Sequence, residues 1–210
     1  MAVITISRQY AGGGSDIARR VAEQLGWTLI DNEFVDRVAE RVGLPPEEVE
    51  AREERVPGLI ERLARTLATS SPEVFVPSGD IQDAEQDRLV RVTERIITET
   101  VQHGDVVMVG RGAQAYLGER DQTMHVYIVA PRETRIATAV ERLGQSPDEA
   151  ARCMDSVDEQ RRRYVRTHYR RDWDDAANYH LVLNSAAFGY EGCAALVVEA
   201  ARRMGLGQPP

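Results

Sequence analysis

Lysine is absent from all 210 residues, so every one of the 26 basic side chains is an arginine, set against 34 acidic residues for a net charge of −8. Any chemistry that requires a lysine amine is thereby excluded, although a codon bias toward arginine and alanine explains the absence without invoking function. The acidic balance argues against a whole-surface electrostatic grip on nucleic acid and leaves room only for a local basic patch. Cysteine is scarce too. Cys153 and Cys193 make neither a disulfide framework nor a metal site, which fits a reducing compartment. The four histidines, at 103, 125, 168 and 180, lack ligand spacing. No run approaches the roughly 20 apolar residues of a membrane span, and Met1–Ser7 has neither the basic flank nor the apolar length of a signal peptide. The expectation is a soluble, cytoplasmic protein. Hydrophobic residues at 42% and charged residues at 29% are ordinary values, so disorder and a collagen-like fibre are excluded. The length suits one domain, or one domain carrying an insertion.

Short apolar runs alternate with helical periodicity. Val3–Ile6 reads as a buried strand that runs into a glycine cluster. Ile17, Val21 and Leu25 repeat every four residues in a helix over 16–25, with Gly26 at the C-terminal cap position. Further strands are expected at 28–30, 106–109, 125–129 and 181–183. Helices are expected at 34–42, 46–55, 59–67, 87–102, 132–143 and 191–204, with a loop over 70–83. Strands separated by helices imply right-handed crossovers and a mostly parallel sheet covered on both faces. Ligands then bind beyond the carboxyl ends of the strands, which singles out 7–15, Asp31, 110–112, 130–135 and 184–185.

Three segments carry chemistry. Ser7 to Asp16 reads Ser-Arg-Gln-Tyr-Ala-Gly-Gly-Gly-Ser-Asp between strand and helix. Its glycines let the backbone turn back and expose N–H groups, and the helix N-terminus adds partial positive charge, which together make a phosphate cradle. The dinucleotide fingerprint fails at Ile17, and the Walker A pattern fails because Gly14 stands at its lysine position. Asp16 reads either as a Mg²⁺ ligand or as a helix-end acid favoured by the dipole. Arg111, held between Gly110 and Gly112 at a strand end, suits a bidentate phosphate or carboxylate, or else a structural carboxylate. In Gln160–Arg171 six of twelve residues are arginine. Arg162, Arg166 and Arg170 are spaced to share one helix face. That stretch reads as an arm closing over a polyanion, as a solvated helix, or as an RNA patch with Tyr164 and Tyr169 stacking.

Taken in order, Ile4-Thr-Ile-Ser-Arg-Gln-Tyr10 with its glycines, Leu29-Ile-Asp31, Val107-Met-Val-Gly-Arg-Gly-Ala113, Ala130-Pro-Arg-Glu-Thr-Arg135 and Asp172–Ser185 resemble the cytidylate kinase-like family of P-loop proteins. The resemblance implies a P-loop NTPase-type three-layer α/β sandwich. A five-stranded parallel sheet would carry a helical substrate-binding insertion at about 32–83 and an arginine-rich lid at about 144–172. It implies transfer of the γ-phosphoryl group of ATP, with Mg²⁺, to a small acceptor, a nucleoside monophosphate by the family's pattern. Arg8, Gly12, Gly13, Gly14, Ser15, Asp16 and Arg135 would then hold the ATP, with Asp16 also the metal residue. Arg162 and Arg166 would be catalytic lid arginines, and Asp31 and Arg111 would face the acceptor. The chain departs from cytidylate kinases at Gly14, where they carry lysine, and around Gly110-Arg111, where Val109 and Gly112 stand in place of aspartates. Those departures keep two other readings open: a kinase of another metabolite, or a nucleotide sensor without catalysis. The partner is expected to be a small nucleotide, with no membrane and no nucleic acid, and a homodimer is left open.

Overall fold

Four consecutive β-branched residues, Val3 to Ile6, favour a pleated strand, and this first strand pairs on both sides at the centre of the sheet. The computed structural model of the protein describes residues 1–31 and 81–207. The chain divides into two compact units, one of residues 1–31 with 104–210 and the other of residues 32–103.

The first unit holds β1 (Val3–Arg8), α1 (Gly14–Leu25) and β2 (Thr28–Ile30) before the division. In the second unit, α2 spans Ile81–Thr100 and is laced by an Arg95–Glu99 pair at 3.0 Å. The first unit resumes with β3 (Val106–Val109), the short α3 (Ala113–Leu117), β4 (Thr123–Val129), α4 (Arg132–Leu143) and α5 (Pro147–Tyr169). β5 (Leu181–Asn184) and α6 (Ser185–Arg203) complete it. The five strands are all parallel in the order β2-β3-β1-β4-β5.

Alternation sorts the side chains to two faces. Ile4 and Ile6 of β1, Val107 and Val109 of β3, and Met124, Val126 and Ile128 of β4 pack with Ile17 and Val21 of α1 and Val197 and Val198 of α6. Each such side chain contributes about 1.5–3 kcal/mol by leaving water. On the opposite face Tyr127 packs with Val165 of α5 and with Trp173 and Tyr179. The sheet is thus the middle of three layers, as the alternation of elements requires.

Element ends differ from the expectation for local reasons. β1 extends to Arg8 because Ser7 and Arg8 stay in register with Tyr127 and Ile128. α6 begins at Ser185 because Asn184 caps it, accepting from the Ala186 N–H at 3.0 Å, and Gly189 (φ 63°, ψ 173°) kinks it. α2 starts at Ile81, inside the expected loop. The helices expected over 34–67 lie outside the described residues. The arginine-rich stretch belongs to α5, whose start is set by Ser146 accepting from the Glu149 N–H and by Pro147 in the first turn. Arg170 leaves the expected face, because it is the C-terminal cap in the left-handed region (φ 54°).

Candidate phosphate site

Where β1 ends, the chain must reverse into α1, and glycine supplies the turn. Gly13 takes φ +81° and caps α1, a conformation that costs an L side chain about 1–2 kcal/mol. The first helical bond joins the Ile17 N–H to the Gly13 carbonyl at 3.0 Å. The N–H groups of Gly14, Ser15 and Asp16 therefore have no carbonyl four residues back and present the positive end of the helix. Ser185 fixes the loop from below, its hydroxyl donating to the Gly12 carbonyl at 2.8 Å.

Gly14 has a steric reason. A Cβ built on it would lie 2.3 Å from Arg8 Cβ and 2.7 Å from Arg8 Cγ. A Cβ on Gly110 would lie 2.1 Å from an Arg8 guanidinium nitrogen. The Arg8 side chain thus runs through the space that side chains at 14 and 110 would fill. Burial, then the charges of Arg161 and Arg111, push the Arg8 guanidinium down to about 9, against the opposing pull of Asp158 and Asp31. Arg111 itself adopts φ 53° between left-handed Gly110 and Gly112. A Cβ on Gly112 would strike Tyr169 and Tyr164 of α5. Asp31 and Arg111, expected at the acceptor side, are thereby brought to the same guanidinium as the loop.

A cavity of about 310 Å³ opens over the loop, walled by Arg8, Gly12–Ser15, Arg142, Arg161 and Tyr190. Three arginines face it against one carboxylate, Asp16, among the described residues. Both Asp16 oxygens accept from Arg142, at 2.7 and 3.3 Å, and Arg19 adds a bond at 2.7 Å. The Arg142 bond holds the Asp16 carboxyl below its usual range. Arg142 also lies 5.7 Å from the centre of the Tyr190 ring, and that ring covers Gly13.

On the α5 side, Asp158 is the organising group and is almost fully buried. It accepts from the Tyr10 N–H of the loop at 2.8 Å, from Arg135 at 2.5 Å and from Arg161 at 3.2 Å. Arg161 also donates to the Arg8 carbonyl at 2.8 Å. Arg135 Nε is buried without a hydrogen-bond partner among the described residues. Of the expected lid arginines, Arg162 turns away from the loop. It is bonded to Asp174 and, at 3.2 Å, to Glu159, over the Trp173 ring. Arg166 is exposed.

The residues at the loop fit a phosphate chain: free N–H groups at a helix start, glycines too close to Arg8 and Tyr190 to carry side chains, and a cationic excess. A Mg²⁺ ion at Asp16 fits only if Arg142 is displaced, and no group of three metal-ligating side chains occurs among the described residues. Sequence reasoning missed Asp158, Arg161, Arg142 and Tyr190. The buried stripe Ala150, Met154, Asp158 and Val165 on α5 was the available signal. It puts position 161, rather than 162, on the inward face.

Several known proteins are similar to this chain in sequence or in fold. The model of the cytidylate kinase-like family matches residues 3–187. A crystal structure of a protein from Eubacterium ventriosum superposes with a TM-score of 0.71 at 17% identity, covering 96% of this chain and 99% of that one. Shikimate kinase from Bacteroides thetaiotaomicron gives 0.54 at 12% identity, with 96% and 98% covered. These two likenesses concern the fold. A uronate isomerase from Corynebacterium glutamicum is 30% identical over 140 residues, which is 66% of this chain. The chain spans about a quarter of that relative's length, 26%. With the family pattern running almost from end to end of a five-stranded parallel sheet, the chain belongs to the cytidylate kinase-like family of P-loop proteins.

Proposed function

We propose that the protein is an ATP-dependent phosphotransferase that moves the γ-phosphoryl group to a small acceptor, a nucleoside monophosphate by the family's pattern. The observation that carries this reading is the half-buried Arg8 guanidinium, set among like charges beside a glycine cradle. Its charge is held at an electrostatic cost that a phosphate chain would remove. Phosphoryl transfer asks the protein for positioning and for cations where negative charge spreads. ATP with Mg²⁺ supplies the phosphoryl group and neutralises part of its charge.

The loop N–H groups bind the phosphates, and Arg8 and Arg161 provide the cations that a lysine at 14 would otherwise supply. Arg8 is fixed by the strand that carries it and Arg161 by Asp158, so little reorganisation accompanies charge development. Arg111 and Asp31 orient the acceptor, whose phosphate oxygen attacks the γ-phosphorus as the bond to the ADP oxygen breaks. Arg142 and Tyr190 line the nucleotide side, and Asp16 holds Arg142 in place. Pure protein incubated with ATP, Mg²⁺ and a panel of nucleoside monophosphates should form ADP with one of them. Thermal stabilisation by ATP without ADP formation, across that panel and a panel of sugar and hydroxy-acid acceptors, would instead identify a nucleotide sensor.

A further inference from the structure

A second and larger cavity, about 580 Å³, opens at the other end of the sheet. It lies at the amino end of β4, where Gln122 accepts from the Val3 N–H at 2.9 Å. The glycine loop lies beyond the carboxyl end of β1. The seven residues of β4 separate the two by about 20 Å at a strand rise of ~3.3 Å per residue. The volume is in the range of small-molecule sites, and the lining mixes charged and polar groups with Ala177, Met204 and Leu206.

Two arginines face it. Arg120 donates to the Asp121 carbonyl at 3.2 Å and to the Thr123 hydroxyl at 3.1 Å. Arg171 is half-buried and packs against Gly118, where a Cβ would lie 3.2 Å from Arg171 Nη2. Among the described residues neither guanidinium makes an ion pair with a carboxylate, although Glu119 and Asp121 also line the cavity. Arg132, Arg135 and Arg142 of the same unit do pair, with Asp155, Asp158 and Asp16. His180 adds a directed donor. Its Nδ1 accepts from the His125 N–H at 2.9 Å, which leaves the ring proton on Nε2. His125 is fixed behind it, with Nε2 at 2.6 Å from the Gly118 carbonyl and Nδ1 at 2.7 Å from the Thr5 hydroxyl.

We propose that this cavity is a second ligand site, separate from the phosphate loop, for a small hydroxylated phosphate ester. Arg120 and Arg171 hold its phosphoryl group, and Glu119 and Asp121 accept from its hydroxyls. Planar guanidinium forks suit phosphate oxygens, and the carboxylates of Glu119 and Asp121 beside them disfavour a bare anion unless it brings donors. The site adjoins the end of α5. Arg171 follows the cap residue Arg170, and Asp174, three residues on, bonds both Arg162 of α5 and the Tyr127 hydroxyl. Occupancy there fixes the segment that anchors the arginine helix.

The test is a titration of the ¹⁵N-labelled full chain with glycerol 3-phosphate, with inorganic phosphate and glycerol alongside. Glycerol 3-phosphate should shift the Gly118, Gln122 and His180 amides saturably at concentrations up to about 10 mM, a weak-site affinity. Inorganic phosphate should bind there more weakly and glycerol not at all. Arg171→Ala and Arg120→Ala should each weaken the effect about tenfold or more and leave the Gly12–Ser15 responses unchanged. Both side chains are partly exposed, so the variants should keep their fold, which the remaining amides report. No saturable shift at those three amides, or the same affinity in both variants, overturns the proposal.

Discussion

Restoring a side chain at position 14 tests whether Arg8 truly occupies the space of the missing lysine. A Cβ on Gly14 meets Arg8 Cβ at 2.3 Å. That atom is anchored to the last residue of β1, so a change of rotamer cannot relieve the clash. Overpacking of this kind costs about 1–3 kcal/mol, and a contact to an immovable atom belongs at the upper end. Alanine's better helix propensity returns at most about 1 kcal/mol. Gly14→Ala should therefore lose about 2 kcal/mol. For a chain of this size that is a fall in Tm of roughly 4–8 °C at ~2–4 °C per kcal/mol. Arg8→Ala leaves the Cβ in place and should not relieve the loss, whereas in an Arg8→Gly background Gly14→Ala should gain up to about 1 kcal/mol from helix propensity. The coupling read from that double-mutant cycle should be up to about 3 kcal/mol, the whole overpacking cost. Thermal melts and urea titrations of the four proteins give the answer. An unchanged Tm in Gly14→Ala, or an equal loss in both backgrounds, refutes the steric argument. Gly14→Lys, for the same reason, should weaken ATP binding instead of improving it.

Asp158→Ala strands two guanidinium groups and the Tyr10 amide, and breaking a buried pair of this kind costs about 3–5 kcal/mol. The loss should be measurable by urea titration, and a change under 1 kcal/mol would remove Asp158 as the organiser. Arg161→Ala should lower turnover on the order of 10³-fold, as expected when a phosphoryl-transfer cation is lost. Arg162→Ala, with its partly exposed pairs, should leave kcat nearly level, and the reverse ranking would restore Arg162 as the catalytic arginine. Asp16→Ala should weaken ATP binding equally with and without Mg²⁺, because it releases Arg142, whereas a loss confined to MgATP would make Asp16 a metal ligand. Burial pushes the His125 imidazole from 6.5 down to about 4, so the unfolded chain binds the extra proton between those values. Stability should be intact above pH 6.5 and fall by about 3 kcal/mol on the way to pH 4. Subtracting the same curve for His125→Gln isolates that limb, and a pH profile unchanged by the substitution would contradict it.

The order of strands and helices, the glycine turn after β1, the cap at Gly26 and the arginine between glycines at 111 were all legible in the sequence. Each follows from local rules: hydrophobic period, φ preference and position at a strand end. The sheet order required tertiary structure, because alternation alone leaves the placement of each crossover open. So did the reason for Gly14. In sequence it is a lost lysine, whereas in space it is the room that Arg8 takes up. The choice among consecutive arginines was only partly local. A rotation of 100° per residue separates Arg161, Arg162 and Arg163, and the period of Ala150, Met154 and Val165 favours 161 as the inward one. The partners, the loop for Arg161 and Asp174 for Arg162, were decided by tertiary packing. Asp158 reads in sequence as a counter-charge on a solvated helix, beside Arg161 three residues on, because its other partners lie 148 and 23 residues away. A charge network of that span has no local signature, since long-range folding alone brings its members together.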